Sequence, residues 1–325
     1  MKHWSWASAS CIGTAHRQSA LPLQDAHACR TIVPDTLTDD ITPWLLAIAC
    51  DGAGSASHSR QGAILTCRIL TQAIGRHLRM QNALPDDDLL DHWIDEARAA
   101  IGRAATARGL RTRDFACTLV LALSNGEQTL TAHIGDGGIV AHHEQTQQWQ
   151  AISWPEHGEY AATTHFITDT PPSPTRMARF HEPFDALAVF TDGIERLVLD
   201  MQNRLPHAPF FGAMTTPLLD EVPVTVIREA YEAEAAEAAA AAVAAEAAMA
   251  QTTAAASAVA ASGTGIPQGA PGGPAAIASR PHYWTPPVWQ GRHHALSAQL
   301  ASYLDSDAIN ARTDDDKTLI VAILP

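Results

Sequence analysis

Residues 45–54 read LLAIACDGAG, an apolar run followed by an aspartate and a glycine-rich turn. This pattern is typical of a buried strand that ends where Asp51 stands. The same arrangement recurs in AHIGDG at residues 132–137 and in LAVFTDG at residues 187–193. Near the end of the chain the order is inverted, because the aspartates at 314–316 precede the apolar run 319–324. Each of four predicted strands therefore carries an aspartate at one tip.

These aspartates predict a metal site. Carboxylates that gather at the ends of strands repel one another unless a cation compensates their charge. Carboxylate oxygens are hard ligands, which suit divalent ions such as Mg²⁺ and Mn²⁺. The recurring pattern therefore indicates metal-assisted chemistry at a site shared by segments that are distant in the sequence.

Composition narrows the class of protein. The 325 residues suffice for one large domain or two modest ones. The net charge of −14 argues against a nucleic-acid partner, since binding to phosphates relies on basic surface. We expect no membrane span, because no apolar stretch reaches about 18 residues, and no signal peptide. Five scattered cysteines without a Cys-x-x-Cys pair favour a reduced, cytoplasmic setting.

The periodicity of apolar residues predicts several elements. Helical spacing indicates helices at residues 59–80, 86–108 and 295–304. Strand-like runs cover residues 115–123 and 129–134, and the Asn125-Gly126 pair between them indicates a hairpin turn. Residues 149–179 are rich in His, Pro and Thr, which indicates loops and edge strands.

Composition changes abruptly after about residue 219. Residues 228–261 are dominated by alanine, and residues 263–274 are rich in glycine and proline. Alanine favours helix but buries little area, and the Gly/Pro segment is typical of a linker. We therefore predict a low-complexity insertion at 220–284 within one domain formed by residues 1–219 and 285–325.

The ordered set of motifs resembles the metal-dependent protein phosphatase 2C family, and is closest in pattern to its compact bacterial branch. The resemblance is carried by five blocks in the right order: Gln24-Asp25-Ala26, Asp51-Gly52-Ala53-Gly54, Gly135-Asp136-Gly137, Thr191-Asp192-Gly193 and Asp315-Asp316-Lys317-Thr318. Each block alone is weak, because Asp-Gly is common in turns.

The resemblance implies a fold and an activity. The fold would be α+β, a four-layer α-β-β-α sandwich of two antiparallel sheets flanked by helices, and the hairpin-linked strands agree with it. The activity would be hydrolysis of phosphoserine and phosphothreonine in proteins with two Mn²⁺ or Mg²⁺ ions, and with a third, weaker metal position. The implied partners are a phosphorylated protein substrate and a cognate serine/threonine kinase.

The resemblance also assigns roles to single residues. Asp51 would bridge both metals, and Gly52 would offer its backbone carbonyl. Asp192 and Asp315 would bind one metal directly, so that Asp51, Asp192 and Asp315 form the catalytic set. Asp25 would hold a metal-bound water in the outer shell.

Asp136, together with Asp192, would form the third metal position. The chain departs from the family at Ala20, where an arginine normally grips the substrate phosphate. His16 or Arg17 could reach the same place, and we predict that one of them binds phosphate.

Two further departures concern the acid–base and metal groups. Ala53 stands where animal enzymes carry a histidine that is proposed as general acid, and His58 is the nearest substitute. Arg196 replaces a carboxylate that is expected four residues beyond Asp192, with Glu195 one place earlier, which weakens the third metal position. The alternative function is therefore a catalytically weak or inactive phosphatase-like domain that regulates or binds other proteins.

Overall fold

Two five-stranded antiparallel sheets face each other in the computed structural model, which describes residues 2–35, 42–156, 164–219 and 291–325. Sheet I has, in spatial order, β1 (Ser5–Cys11), β12 (Lys317–Ile323), β9 (Phe184–Phe190), β6 (Gly138–His143) and β7 (Gln148–Ser153). Sheet II has β2 (Ala26–Ile32), β3 (Trp44–Cys50), β4 (Leu119–Ser124), β5 (Thr129–Ile134) and β8 (Arg176–Phe180). A short ribbon pairs β10 (Leu199–Asp200) with β11 (Leu205–Pro206).

Helices cover the outer faces of both sheets. In chain order they are α1 (Thr14–Gln18), α2 (Ser59–Gln81), α3 (Asp87–Thr106), α4 (Glu195–Val198), α5 (Ala208–Thr215), α6 (His294–Leu304) and α7 (Asp307–Asn310). Short 3₁₀ turns lie at Thr112–Phe115, Asp192–Ile194 and Thr216–Leu219. None of the helices in the described ranges is both long and apolar enough to cross a lipid bilayer.

The alternation of side chains along β3 shows how the layers are held together. Trp44, Leu46, Ile48 and Cys50 pack with α2 and α3 in one apolar core. The residues between them, at 45, 47 and 49, face sheet I in a second core. A third core joins the other face of sheet I to α5 and α6. Since β3 is buried on both faces, it reads as one continuous apolar run. The predicted α-β-β-α sandwich is confirmed.

The predicted long helices are present at nearly the predicted residues. Asp86 is the N-cap residue of α3, and its side chain accepts a hydrogen bond from the Leu89 amide at 2.8 Å. In the hairpin between β4 and β5, the Asn125 side chain accepts from the amides of Glu127 and Gln128. The predicted helix near the C-terminus corresponds to α6.

The strand predicted to begin at Phe115 begins only at Leu119. Phe115 ends a 3₁₀ turn, and the residues after it bond to the loop that follows β3 instead of joining the sheet. In the region predicted as loops and edge strands, β7 and β8 form edges of the two sheets. The predicted insertion at 220–284 lies outside the described residues.

Candidate metal centre

Three aspartates from different strand ends meet at one edge of the sandwich. Carboxylate oxygens of Asp51, Asp136 and Asp192 all lie within 4.8 Å of one another. Topology explains this meeting, because β3 and β5 both run antiparallel to β4, so their C-terminal ends share an edge. In sheet I, β12 runs antiparallel to β9. Its first residues therefore lie beside the end of β9, which explains the inverted motif at 314–316.

The loop that carries Asp51 is fixed by backbone hydrogen bonds. The Thr118 amide donates to the Asp51 carbonyl at 2.8 Å, and the Thr118 hydroxyl accepts from the Asp51 amide at 3.0 Å. Gly52 pairs with Cys117 in an isolated bridge. A Cβ at position 52 would lie 2.6 Å from the Gln24 carbonyl oxygen, so only glycine fits there. These contacts hold the Asp51 carboxylate at the strand tip.

The turn that carries Asp136 is held by a buried histidine. Gly135 and Gly137 have φ values of +99° and +87°, a conformation that favours glycine. His133 Nε2 donates to the Asp136 carbonyl at 2.9 Å, which fixes the tautomer, and Nδ1 accepts from the Ser153 hydroxyl at 2.7 Å. Burial lowers the pKa of His133 to about 3, so the ring is neutral at physiological pH.

Asp192 opens a 3₁₀ turn that packs closely on the segment before β12. A Cβ on Gly193 would lie 1.8 Å from the Asp316 carbonyl oxygen. Asp192 Oδ1 is buried and has no hydrogen-bond partner within the described part of the chain. Glu195, 4 % exposed, is a further carboxylate near Asp192, whereas Arg196 is exposed. The replacement noted at position 196 thus leaves an acidic side chain beside Asp192.

The crowded carboxylates raise one another's pKa. Burial raises the pKa of Asp51 well above its usual value, and the charges of Asp25 and Asp192 raise it further. Burial is also the main cause that raises the pKa of Asp192, and the charges of Asp136 and Asp315 raise it further. Ionised carboxylates at these distances need a compensating cation. The donor set, together with the unpartnered Asp192 oxygen, fits a hard divalent metal ion.

Asp25 lies beside this cluster in a network of hydroxyl groups. Its Oδ2 accepts from the hydroxyls of Thr191 at 2.8 Å and Thr318 at 2.7 Å. Burial raises the pKa of Asp25 to about 6, although these bonds and one to Asp51 act in the opposite direction. The arrangement fixes one Asp25 oxygen within the protein. Its other oxygen, Oδ1, is buried and has no hydrogen-bond partner among the residues that the structure describes.

The network extends inward from Thr318 to His27. Ser10 Oγ lies 2.6 Å from the Thr318 hydroxyl and 2.7 Å from His27 Nδ1, and His27 Nε2 lies 3.0 Å from Ser8 Oγ. Since Thr318 donates to Asp25, its oxygen accepts from Ser10, and Ser10 in turn accepts from His27 Nδ1–H. The sequence offered one signal for this network, because Ser8 and Ser10 are polar residues on one face of a buried strand.

The neighbouring aspartates 315 and 316 have different surroundings. The Asp316 carboxylate is buried and accepts from the amides of Gly13 at 2.7 Å and Gln24 at 2.6 Å. It thereby ties the segment before β2 to the start of β12. Asp315 is partly exposed, and its charge raises the pKa of both Asp51 and Asp192. Asp315 therefore lies beside the three-aspartate cluster, whereas Asp316 holds the backbone.

The cations predicted to bind phosphate lie on α1. Arg17 forms an ion pair with Asp305 at 2.5 Å, and both side chains are exposed. His16 Nδ1 lies 3.0 Å from Asp316 Oδ2, and its Nε2 lies 3.9 Å from where a Cβ on Gly54 would stand. Of the two, His16 is therefore the residue nearer to the Asp51 loop. Whether either residue binds phosphate stays a prediction.

The stabilisation of the protein by Mn²⁺ is expected to depend on pH. Asp25 has a pKa of about 6 in the folded protein, against about 4 in an unfolded chain. Its protonated carboxyl therefore stabilises the metal-free fold at low pH, and this stabilisation is lost as pH rises from about 4 to about 6. Ligands must be deprotonated to bind metal. The increase in melting temperature on adding Mn²⁺ should therefore be small near pH 4 and should grow as pH rises through about 6.

Thermal melts with Mn²⁺ and with EDTA across this range provide the measurement. The two buried histidines act in the opposite direction, because their lowered pKa values, about 4 for His27 and about 3 for His133, destabilise the fold as pH falls. Subtracting the two melting curves at each pH cancels the histidine contribution. A difference that stays constant from pH 4 to pH 7 would contradict the expected coupling.

Comparison with known proteins agrees with this geometry. The profile of the family described as Protein phosphatase 2C matches residues 12–232. Serine/threonine-protein phosphatase 3 of Escherichia coli (strain K12) is 35% identical over 229 residues, which cover 68% of this chain and 88% of that protein.

Solved structures show the same fold. The serine/threonine phosphatase Stp1 from Staphylococcus aureus superposes with a TM-score of 0.51 at 12% identity, covering 98% of this chain and 94% of its own. PppA, described as a key regulatory component of T6SS in Pseudomonas aeruginosa, has a TM-score of 0.51 at 14% identity, covering 99% and 98%.

Proposed function

The chain belongs to the protein phosphatase 2C family, and we propose that the three-aspartate cluster is the centre at which it hydrolyses phosphoserine and phosphothreonine in proteins. The family and its relatives are serine/threonine phosphatases that depend on metal. The observation that carries the proposal is the meeting of Asp51, Asp136 and Asp192 within 4.8 Å. Burial and mutual repulsion raise the pKa values of Asp51 and Asp192, so a bound cation would stabilise their ionised forms.

The cofactor is two Mn²⁺ or Mg²⁺ ions, with a third, weaker position beside Asp136 and Asp192. When bound, such ions lower the pKa of a water and neutralise phosphoryl oxygens, which suits attack on a phosphomonoester. Asp51, Asp192 and Asp315 would hold the ions together with the Gly52 carbonyl.

The remaining residues act on the site through hydrogen bonds. Asp25, fixed by Thr191 and Thr318, would hold a metal-bound water in the outer shell by accepting a hydrogen bond from it. His133 keeps the Asp136 backbone in place. In this arrangement the protein supplies position and charge, and no side chain has to form a covalent intermediate.

The biological setting that this activity suits is a cytoplasmic phosphatase that reverses a cognate serine/threonine kinase. All five cysteines are free and buried, which fits a reducing compartment. The insertion at 220–284 would be a spacer within the phosphatase domain.

The activity is expected to require added metal. Purified protein should release phosphate from p-nitrophenyl phosphate and from a phosphothreonine peptide with Mn²⁺, lose this activity in EDTA, and regain it when Mn²⁺ is restored. Calorimetry with Mn²⁺ belongs in the same experiment, because metal binding without turnover would identify a phosphatase-like binding domain. Activity that persists unchanged in EDTA would contradict the metal-dependent mechanism.

A further inference from the structure

We infer that a cavity beside the three-aspartate cluster binds an anionic group of the phosphoprotein substrate, with Arg60 as its cation. The cavity has a volume of about 190 Å³ and lies between residues 21–24 and the first turn of α2. Gly54 in its wall belongs to the same loop as Asp51, and Gln24 precedes Asp25. A Cβ on Gly52 would lie 2.6 Å from the Gln24 carbonyl oxygen and 2.9 Å from Ser59 Cβ, so two residues of the cavity wall contact the residue after Asp51. A group bound here would therefore lie beside the loop that carries Asp51. The inference rests on the proposed phosphatase function.

Arg60 supplies the positive charge in the wall of this cavity. Its Nη1 donates to the Leu23 carbonyl at 2.8 Å, which holds the guanidinium at the cavity. Among the described residues, no carboxylate oxygen lies within 4.0 Å of a guanidinium nitrogen of Arg60, the distance that defines an ion pair. By contrast, Arg17 pairs with Asp305 and His16 with Asp316. In a chain of net charge −14, an arginine in a cavity wall that forms no ion pair with a described carboxylate indicates a site for an anion.

Two buried polar side chains, Ser59 and Gln24, line the same cavity. Ser59 Oγ and Gln24 Oε1 form no hydrogen bond within the described residues, although the two side chains are only 1 % and 5 % exposed. A buried polar group without a partner costs free energy, so each favours a ligand. Ser59 can donate its hydroxyl, and the Gln24 amide can present its NH₂ group after a half-turn of its terminal bond.

The N-terminus of α2 adds a favourable field. This helix has 23 residues, and no side chain caps its first turn, because His58 Nδ1 instead lies 2.9 Å from Ser57 Oγ. Free amides at the start of a long helix attract anions. Guanidinium, hydroxyl and helix N-terminus thus converge on one small volume.

The ligand that this chemistry recognises is an oxyanion. It is either the phosphate that is hydrolysed or an acidic side chain next to the phosphorylated residue. Leu21, 41 % exposed, and Pro22 line the rim and offer apolar contact to the peptide. Ala20 cannot supply charge, and the inferred cation of this cavity is Arg60 on α2.

The test is steady-state kinetics of the full chain with Arg60→Gln and Arg60→Lys. The matched control is Arg68→Gln, which removes an exposed arginine two turns further along α2. The substrates are p-nitrophenyl phosphate, a phosphothreonine peptide with neutral flanks, and the same peptide with glutamate flanks. We expect Arg60→Gln to raise KM about tenfold with kcat within about twofold of wild type, Arg60→Lys to recover part of the loss, and the control to be unchanged.

The substrate pattern identifies the anion. A higher KM for all three substrates assigns the cavity to the phosphate that is hydrolysed, whereas a higher KM for the acidic peptide alone assigns it to a flanking carboxylate. An Arg60→Gln variant that melts like wild type and keeps its KM for every substrate overturns the inference.

The two proposals fail separately. Absence of turnover by wild-type protein in Mn²⁺ and Mg²⁺ would refute the proposed function. The cavity would then be judged by the affinity of the unreactive protein for the acidic phosphopeptide. Weaker binding by Arg60→Gln than by Arg68→Gln supports the cavity, and equal binding overturns it.

Discussion

Asp51→Asn is expected to lower kcat/KM on the order of 10³-fold or more, while the metal-free protein becomes more stable. Asparagine has nearly the same shape as aspartate but carries no charge, so it weakens the hold on a cation at the centre of the cluster. The same change removes the repulsion and burial penalty that raise the pKa of Asp51. The metal-free melting temperature should therefore rise by about 2–4 °C for each kcal/mol gained.

Opposite changes in activity and stability would separate a functional carboxylate from a structural one. A residue that stabilised the fold would lower both quantities together when replaced. The control is Asp91→Asn, which removes a charge from the exposed face of α3 and should leave both unchanged within error. If Asp51→Asn retained a tenth or more of the wild-type kcat/KM, the central role proposed for Asp51 would be wrong.

Gly62→Ala is expected to destabilise the protein by about 3 kcal/mol or more, although alanine favours helix over glycine by up to about 1 kcal/mol. A Cβ at position 62 of α2 would lie 1.9 Å from the Phe115 carbonyl oxygen. Because the obstacle is backbone, it cannot rotate away as a flexible side chain would. The helix must separate from the segment at 115–118 or that segment must move.

The displaced segment also supports the loop that carries Asp51. Ala116 and Thr118 bond to the loop at Asp51–Ala53, so movement at Phe115 should shift Asp51 and lower activity as well as stability. The matched control is Gly102→Ala in α3, where a Cβ would have no neighbour within 4 Å. Chemical denaturation should show a small gain in stability for Gly102→Ala, up to about 1 kcal/mol, from helix propensity alone. Equal effects of the two substitutions would refute the steric argument.

The fold class could be predicted from two properties of the sequence, the periodicity of apolar residues and the order of the motifs. The buried run before Asp51 and the Asn125-Gly126 turn define strands through apolar content and turn chemistry, so β3 and β5 are present at nearly the predicted residues. The start of β4 was misplaced, because the residues after Phe115 are as apolar as a strand. They bond instead to the loop at Asp51, a contact between segments far apart in the chain.

The candidate site, like the fold, has features that the sequence predicts and features that only the tertiary structure shows. The sequence determined which residue types stand at strand ends, and hence that carboxylates, which are hard oxygen ligands, gather at one site. Only the tertiary structure decided that the Asp316 carboxylate binds the backbone while Asp315 lies beside the cluster, because the amides that Asp316 accepts from belong to Gly13 and Gln24, far away in the chain. It also revealed the hydroxyl network behind Asp25 and the position of the Arg60 guanidinium in a cavity wall. These depend on distances between segments that no local pattern encodes.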